Sequence, residues 1–172
     1  LTLHFEVASG YRFPSLSERY FDGETPRGAV KGVPDLDPET RRNLEFGVAW
    51  EPTSQLRLSL NTYYSDLDNY IERFDVTDDL VSYRNLDHAS IQGAELDLSL
   101  AAGSFSHRLS YQYQRGEDDD GNVLADLNPP GLRYFATWQR EHGRVVSDLS
   151  YRPRRDDFGA GELPVDEAWI WN

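Results

Sequence analysis

The sequence contains no cysteine and no methionine. Without cysteine there is no disulfide framework, no thiol chemistry and no cysteine-ligated metal site. The chain opens on "LTLHFEVASG" and closes on "AWIWN", both already in strand-like alternation, so it reads as a fragment of a longer chain. No run of 18 apolar residues exists, which excludes a transmembrane helix, and nothing at the N-terminus resembles a signal peptide. Positive charge is scarce, with 17 Lys and Arg against 30 Asp and Glu and a formal net charge of −13. That balance argues against a nucleic-acid surface, which needs clustered Lys and Arg. A membrane β-barrel survives all of these exclusions, because strands that alternate lipid-facing and lumen-facing residues have low mean hydropathy.

What the sequence does have is a period of two. Leu44, Phe46, Val48 and Trp50 share one face, with Asn43, Glu45, Gly47 and Ala49 on the other. The same alternation carries Leu56, Leu58, Leu60, Thr62 and Tyr64, then Ala94, Leu96, Leu98 and Leu100, then His107, Leu109, Tyr111 and Tyr113. Leu132, Tyr134, Ala136 and Trp138 make a further apolar face, and Val145, Leu149 and Tyr151 another. Runs of roughly 9–11 residues exceed the usual soluble strand and match a tilted bilayer crossing.

The connections alternate as well. "EPTSQ", "AAGS" and "EHGR" are short, while the polar segments 9–39, 66–89, 116–130 and 153–166 are long. Short turns at one end and long loops at the other suit an outer-membrane barrel with its long loops outside the cell. Tyr63, Tyr64, Tyr111, Tyr113 and Tyr134 fall toward the long-loop ends, as interface aromatics do, although aromatics are enriched in any sheet. The pattern predicts about eight strands: 1–8, 40–50, 56–65, 90–100, 105–115, 131–140, 144–152 and 167 onward. The expected fold is therefore all-β, an antiparallel transmembrane β-barrel fragment with long extracellular loops and short periplasmic turns.

Several motifs then occur in order. "YRFPSLSERYFDG" and "GVPDLDPETRRNLEFGVAWEP" are followed by "NLDHASIQGAELDLSL" and "LNPPGLRYFATWQ". Together they resemble the barrel of TonB-dependent outer-membrane receptors, which show an aromatic-Arg-x-Pro box, an Asn-Pro-x-Leu-x-Pro-Glu box, an E-x-G strand (here Glu45-Phe46-Gly47) and a G-x-E strand (here Gly93 and Glu95). The resemblance implies that 1–172 is part of a barrel of about 22 strands with a plugged lumen. The family's plug domain, its TonB-contacting N-terminal region and its terminal strands would lie outside this stretch. The implied function is TonB-energised import of a scarce bulky solute across the bacterial outer membrane, with a ferric siderophore as the family's commonest cargo. The implied partners are outer-membrane lipid, the protein's own plug, the TonB complex and the ligand. Haem, cobalamin or an oligosaccharide are alternative cargoes, and a passive porin, a small structural barrel or a secreted β-rich binding module are rival classes. Some haem-receptor members place a His between the two Pro boxes; Ser15 to Val33 contains none, Val33 stands where Asn is usual and Phe13 where Ala is usual.

Two groups of candidate site residues follow. Arg12, Arg19, Tyr20, Arg27, Tyr70, Arg73, Tyr83 and Arg84 lie in the outer segments, where guanidinium hydrogen bonds and aromatic packing can hold an anionic ferric chelate. Asp66, Asp68, Asp75, Asp78 and Asp79 in the same segments repel one. Glu45, Arg57, Glu95, Asp97, Arg108 and Arg133 are expected on the lumen face, toward the plug. Any polar lumen carries such residues, so none is given an individual role. The acidic stretch "EDDDGN" does not fit a calcium loop: counted from Asp118, its Gly falls at position four rather than six. No catalytic constellation stands out, so the chain is read as a non-enzyme with no cofactor and no metal.

Overall fold

The computed structural model describes residues 1–26, 28–159 and 162–172. Along the chain come β1 (Thr2–Arg12), a one-turn helix α1 (Leu16–Tyr20), β2 (Asp22–Thr25), β3 (Gly28–Lys31), β4 (Glu39–Thr53) and β5 (Leu56–Thr77). Then follow β6 (Leu80–Ala102), β7 (Phe105–Asp118), β8 (Gly131–Arg140), β9 (Gly143–Arg152) and β10 (Ala168–Trp171). The ten strands of the described residues belong to one open sheet, ordered β1-β4-β5-β6-β7-β8-β9-β10, with β2 and β3 off this path. Each neighbouring pair along the path is antiparallel.

The register joins the apolar faces of successive strands into one surface. Phe5 pairs with Phe46, Phe46 with Thr62, Leu58 with Leu98, Leu98 with Leu109, Leu109 with Tyr134, and Tyr134 with Leu149. At the far edge Tyr151 meets Trp169, with ring centroids 4.3 Å apart. This face stays open: Phe5 is 67% exposed, Val7 70% and Trp171 75%. A contiguous apolar face of this extent is what a lipid-facing wall requires and what water penalises. The opposite face carries Glu45, Arg57, Asn61, Glu95, Asp97, Arg108, Ser110, Gln112 and Arg133, all from the complementary positions of the same strands.

Three expectations change. Segment 9–39, expected as a loop between strands, carries the end of β1, the helix α1 and the short paired strands β2 and β3. Segment 66–89, expected as a long loop, is a β-ladder: β5 and β6 continue well past the membrane-crossing length and turn only at Asp78–Asp79. Tyr63, grouped with the interface aromatics, lies on the lumen face, pairing with Gly93 on β6 and with Glu45 on β4. Its ring fills the space a Cβ on Gly93 would take, so the G-x-E glycine is there to admit a neighbouring aromatic.

The buried core is small and sits at the outer end. Leu67, Ala89, Ile91 and Leu124 form it, with Tyr63, Tyr70, Leu86 and Leu127 packed around them. Leu124 and Leu127 belong to the 119–130 connection, which folds back over the lumen face of β7. The backbone N–H of Asn128 donates to Gln114 Oε1 at 3.1 Å, and Gln112 Nε2 donates to Pro129 O at 3.2 Å.

Candidate functional site

The motifs singled out in the sequence converge at the outer rim. Ser15 caps α1: its Oγ accepts from the Glu18 N–H at 3.2 Å, and the Glu18 carboxylate accepts from the Ser15 N–H at 2.6 Å, a reciprocal capping box. Arg12, from the first Pro box, donates Nη1 to both Glu18 oxygens at 2.9 and 3.0 Å and Nη2 to Glu39 Oε2 at 3.1 Å. Glu39 closes the second Pro box and is only 8% exposed. The same Oε2 also accepts the Ile71 N–H at 3.3 Å. Burial pushes the Glu18 carboxyl up, but the Ser15 and Arg12 hydrogen bonds outweigh it and hold its pKa below the ordinary value. Burial likewise disfavours the charged Arg12, and its two carboxylate partners more than reverse this.

The return of the first external loop is equally tied. Arg19 Nε donates to Pro34 O at 2.7 Å, the Val33 N–H to Glu18 O at 2.8 Å, and the Gly32 N–H to Phe21 O at 2.6 Å. Gly32 is required by closeness, because a Cβ there would stand 2.7 Å from the Arg19 carbonyl carbon. Asn85, the Asn of the third motif, holds the second box from the β5–β6 hairpin. Its Oδ1 accepts the Asp37 N–H at 2.9 Å, and its Nδ2 donates to Asp37 O at 3.2 Å and to Asn69 O at 2.8 Å.

Of the outer candidates, then, Arg12 and Arg84 are engaged with carboxylates. Arg84 grips Glu72 Oε2 at 2.7 and 2.9 Å and lies 4.7 Å over the Phe74 ring. Arg19 lies 5.9 Å from the Tyr20 ring centroid; Tyr20 is exposed and Arg19 half-buried. Tyr70 packs into the outer core; burial, then the nearby Glu39, raises its pKa. Arg73 and Tyr83 face one another across the hairpin. Arg27 lies outside the described residues. Sequence reasoning missed Glu39 as a site residue, because a glutamate at a strand start gives no sign of what it will accept.

On the lumen face Arg133 pairs with Asp148 at 2.6 and 3.1 Å and stacks 4.5 Å from the Phe135 ring centroid. Ser110 Oγ donates to Asp97 at 2.6 Å, and Arg57 lies 3.3 Å from Glu51. Glu45 pairs in register with Glu6, a like-charged couple, and Glu95 stands beside Tyr63 across Asn61. Among the described residues, concavities run along this face, two of them large. One of about 660 Å³ is lined by Arg57, Arg108, Phe135 and Arg144; the other, of about 610 Å³, by Glu95, Asp97, Arg133 and Arg152. In the acidic turn Asp118 accepts the backbone N–H groups of Asp120 and Asn122 at 3.0 and 2.8 Å, so its carboxylate caps its own chain.

The sequence profile of the family described as "TonB dependent receptor-like, beta-barrel" matches residues 1–172. The "Iron-regulated outer membrane virulence protein" of Vibrio cholerae is 33% identical over 131 residues, covering 67% of this chain and 20% of the relative. The "Vitamin B12 transporter BtuB" of Photobacterium profundum is 28% identical over 163 residues, covering 88% of this chain and 25% of the relative. Among solved structures, "Copper transporter OprC" superposes with a TM-score of 0.84 at 19% identity, over 98% of this chain and 28% of that one. The siderophore receptor PirA from Acinetobacter baumannii follows with a TM-score of 0.73 at 18% identity, over 98% of this chain and 31% of that one. The chain thus spans a fifth to a quarter of the curated relatives it matches.

Proposed function

The chain belongs to the TonB-dependent receptor β-barrel family, and from that premise we propose that it forms part of the wall and outer vestibule of an active importer. The family is one of outer-membrane receptors, and its fold and relatives are those of transport proteins rather than enzymes. In this reading TonB-transduced energy drives uptake of a scarce bulky solute, with a ferric siderophore as the leading cargo. The observation that carries it is the two-faced sheet: an open apolar outer face backed by a polar face whose Glu45, Glu95 and Arg108 have no ion-pair or hydrogen-bond partner among the described residues. Such groups fit a lumen filled by a polar plug belonging to the same protein.

The siderophore reading draws support from neighbours titled as siderophore receptors, including FpvA bound to pyoverdine at a TM-score of 0.68. Titles naming copper and vitamin B12 keep other cargoes in view. The test is uptake of labelled ferric chelates by iron-starved cells carrying the complete receptor, with TonB intact or deleted. Uptake that vanishes without TonB supports the importer; uptake that persists makes the barrel a passive channel.

A further inference from the structure

We propose that the first external loop and the β5–β6 hairpin are one preassembled capture lobe, locked by Glu39 and Asn85, and that this loop does not act as a lid during transport. The inference rests on the importer reading and adds to it which part of the vestibule stays fixed. The lobe is joined at three levels. At its tip, β3 pairs in parallel with β6, matching Ala29 with Leu80, Val30 with Val81 and Lys31 with Ser82. There the Ala29 N–H also donates to Asp79 O at 2.9 Å, and Ser82 Oγ to Lys31 O at 2.9 Å. In the middle, the Asn85 amide pairs with both backbone groups of Asp37 while holding Asn69 O. At the base, one buried oxygen of Glu39 gathers Arg12 from the outgoing arm and the Ile71 N–H from the hairpin.

The joints differ in kind, and each resists opening. Swinging the loop away would break the parallel ladder and leave both Asp37 backbone groups and the Asn85 amide to find new partners. It would also pull Glu18 away from Arg12, which the Glu39 carboxylate holds at the strand ends, and break two charge-assisted hydrogen bonds. The positioning residues are therefore Glu39 and Asn85. They touch no ligand themselves; they fix Arg19, Tyr20 and Tyr83 before ligand arrives, which removes an ordering cost from binding.

The experiment uses the complete receptor with Val30→Cys and Val81→Cys, partners in the parallel ladder, bridged by a disulfide or a short bis-maleimide. A ferric trihydroxamate and a ferric tris-catecholate serve as probes. Bridging is expected to go to completion without ligand and to leave binding and uptake within about twofold of the unbridged protein. The proposal is overturned if neither reagent bridges the pair, or if bridging stops uptake and reduction of the disulfide restores it. Asn85→Asp, which replaces two N–H donors by an acceptor, is expected to speed protease cutting within 13–38 and weaken binding about tenfold. Its folded-barrel mobility on gels should not change. Wild-type binding by Asn85→Asp removes the positioning role. If the wild-type receptor takes up neither chelate, the siderophore reading falls while bridging and proteolysis still decide whether the lobe is locked.

Discussion

At the residue scale, the Pro boxes owe their form to what holds a long loop in one place above a barrel wall. Arg12, Glu18 and Glu39 make a charge-assisted cluster in which each hydrogen bond has an ionised partner, the stronger class of such contacts. Its pH dependence follows from the Glu18 shift. The folded pKa lies below the unfolded one, so the cluster's contribution is complete above the ordinary glutamate value, near 4.3. It is lost as the pH falls from there through the folded pKa. Protease cutting within 13–38 should accordingly be slow at neutral pH and accelerate as the pH drops below about 4, with Glu18→Gln cutting fast already at neutral pH. An acid-stable protease as probe and a flat profile for the wild type would reject this. Gly93 supports a second expectation. A Cβ there would overlap the Tyr63 ring, so Gly93→Ala should cost about 1–3 kcal/mol in barrel stability by overpacking, read as a lower midpoint in urea-induced unfolding from lipid vesicles. The double variant Gly93→Ala with Tyr63→Ser should recover much of that loss.

At the element scale, the membrane-crossing strands were legible from the alternation alone, because lipid and lumen impose opposite chemistry on adjacent residues. Leu98 lies midway along this face, between Leu58 and Leu109, and Leu98→Arg should cost on the order of 2–4 kcal/mol near the bilayer midplane. Asp97→Arg, one residue away but facing the lumen, should cost far less, and equal penalties at the two positions would refute the assigned faces. The hairpin above the membrane was not legible, for two reasons. Once β5 and β6 rise into water both faces tolerate polar residues, so the period of two fades. Asn69, at φ 57, then changes which side chains reach the core, from odd positions at Leu67, Ala89 and Ile91 to the even pair Tyr70 and Leu86. A fixed-phase reading reports a loop where the ladder continues. Hidden for a similar reason was the role of Asn85, since one asparagine in "NLDHAS" says nothing of a loop 48 residues earlier in the chain.

At the scale of the whole molecule, the net charge is unevenly placed. The external segments 9–39, 66–89, 116–130 and 153–166 hold 22 Asp and Glu against 8 Lys and Arg, while the rest of the chain carries 8 against 9. The outer face of this part of the barrel is therefore acidic and its wall slightly basic. Pairing inside the loops leaves that net charge unchanged but occupies cations: Arg84 is taken by Glu72, Arg154 by Asp156 and Arg155 by Glu162, so these guanidiniums offer little to an incoming anion. Among the described residues, Arg73 and Lys31 have no such ion-pair partner. Long-range steering depends on the summed field rather than on single contacts, and salt screens it over about 8 Å at physiological strength against about 30 Å at 0.01 M. A neutral or cationic chelate should thus reach this vestibule faster than a polyanionic one. Stopped-flow association with the complete receptor is the measurement. Raising salt from 0.01 M to 0.15 M should speed capture of a triply negative ferric catecholate, by roughly threefold or more, and slow capture of a cationic ferric hydroxamate. The opposite pair of slopes would mean that the field at the vestibule is set by basic loops elsewhere in the barrel, and that the acidic segments described above face away from the path the ligand takes.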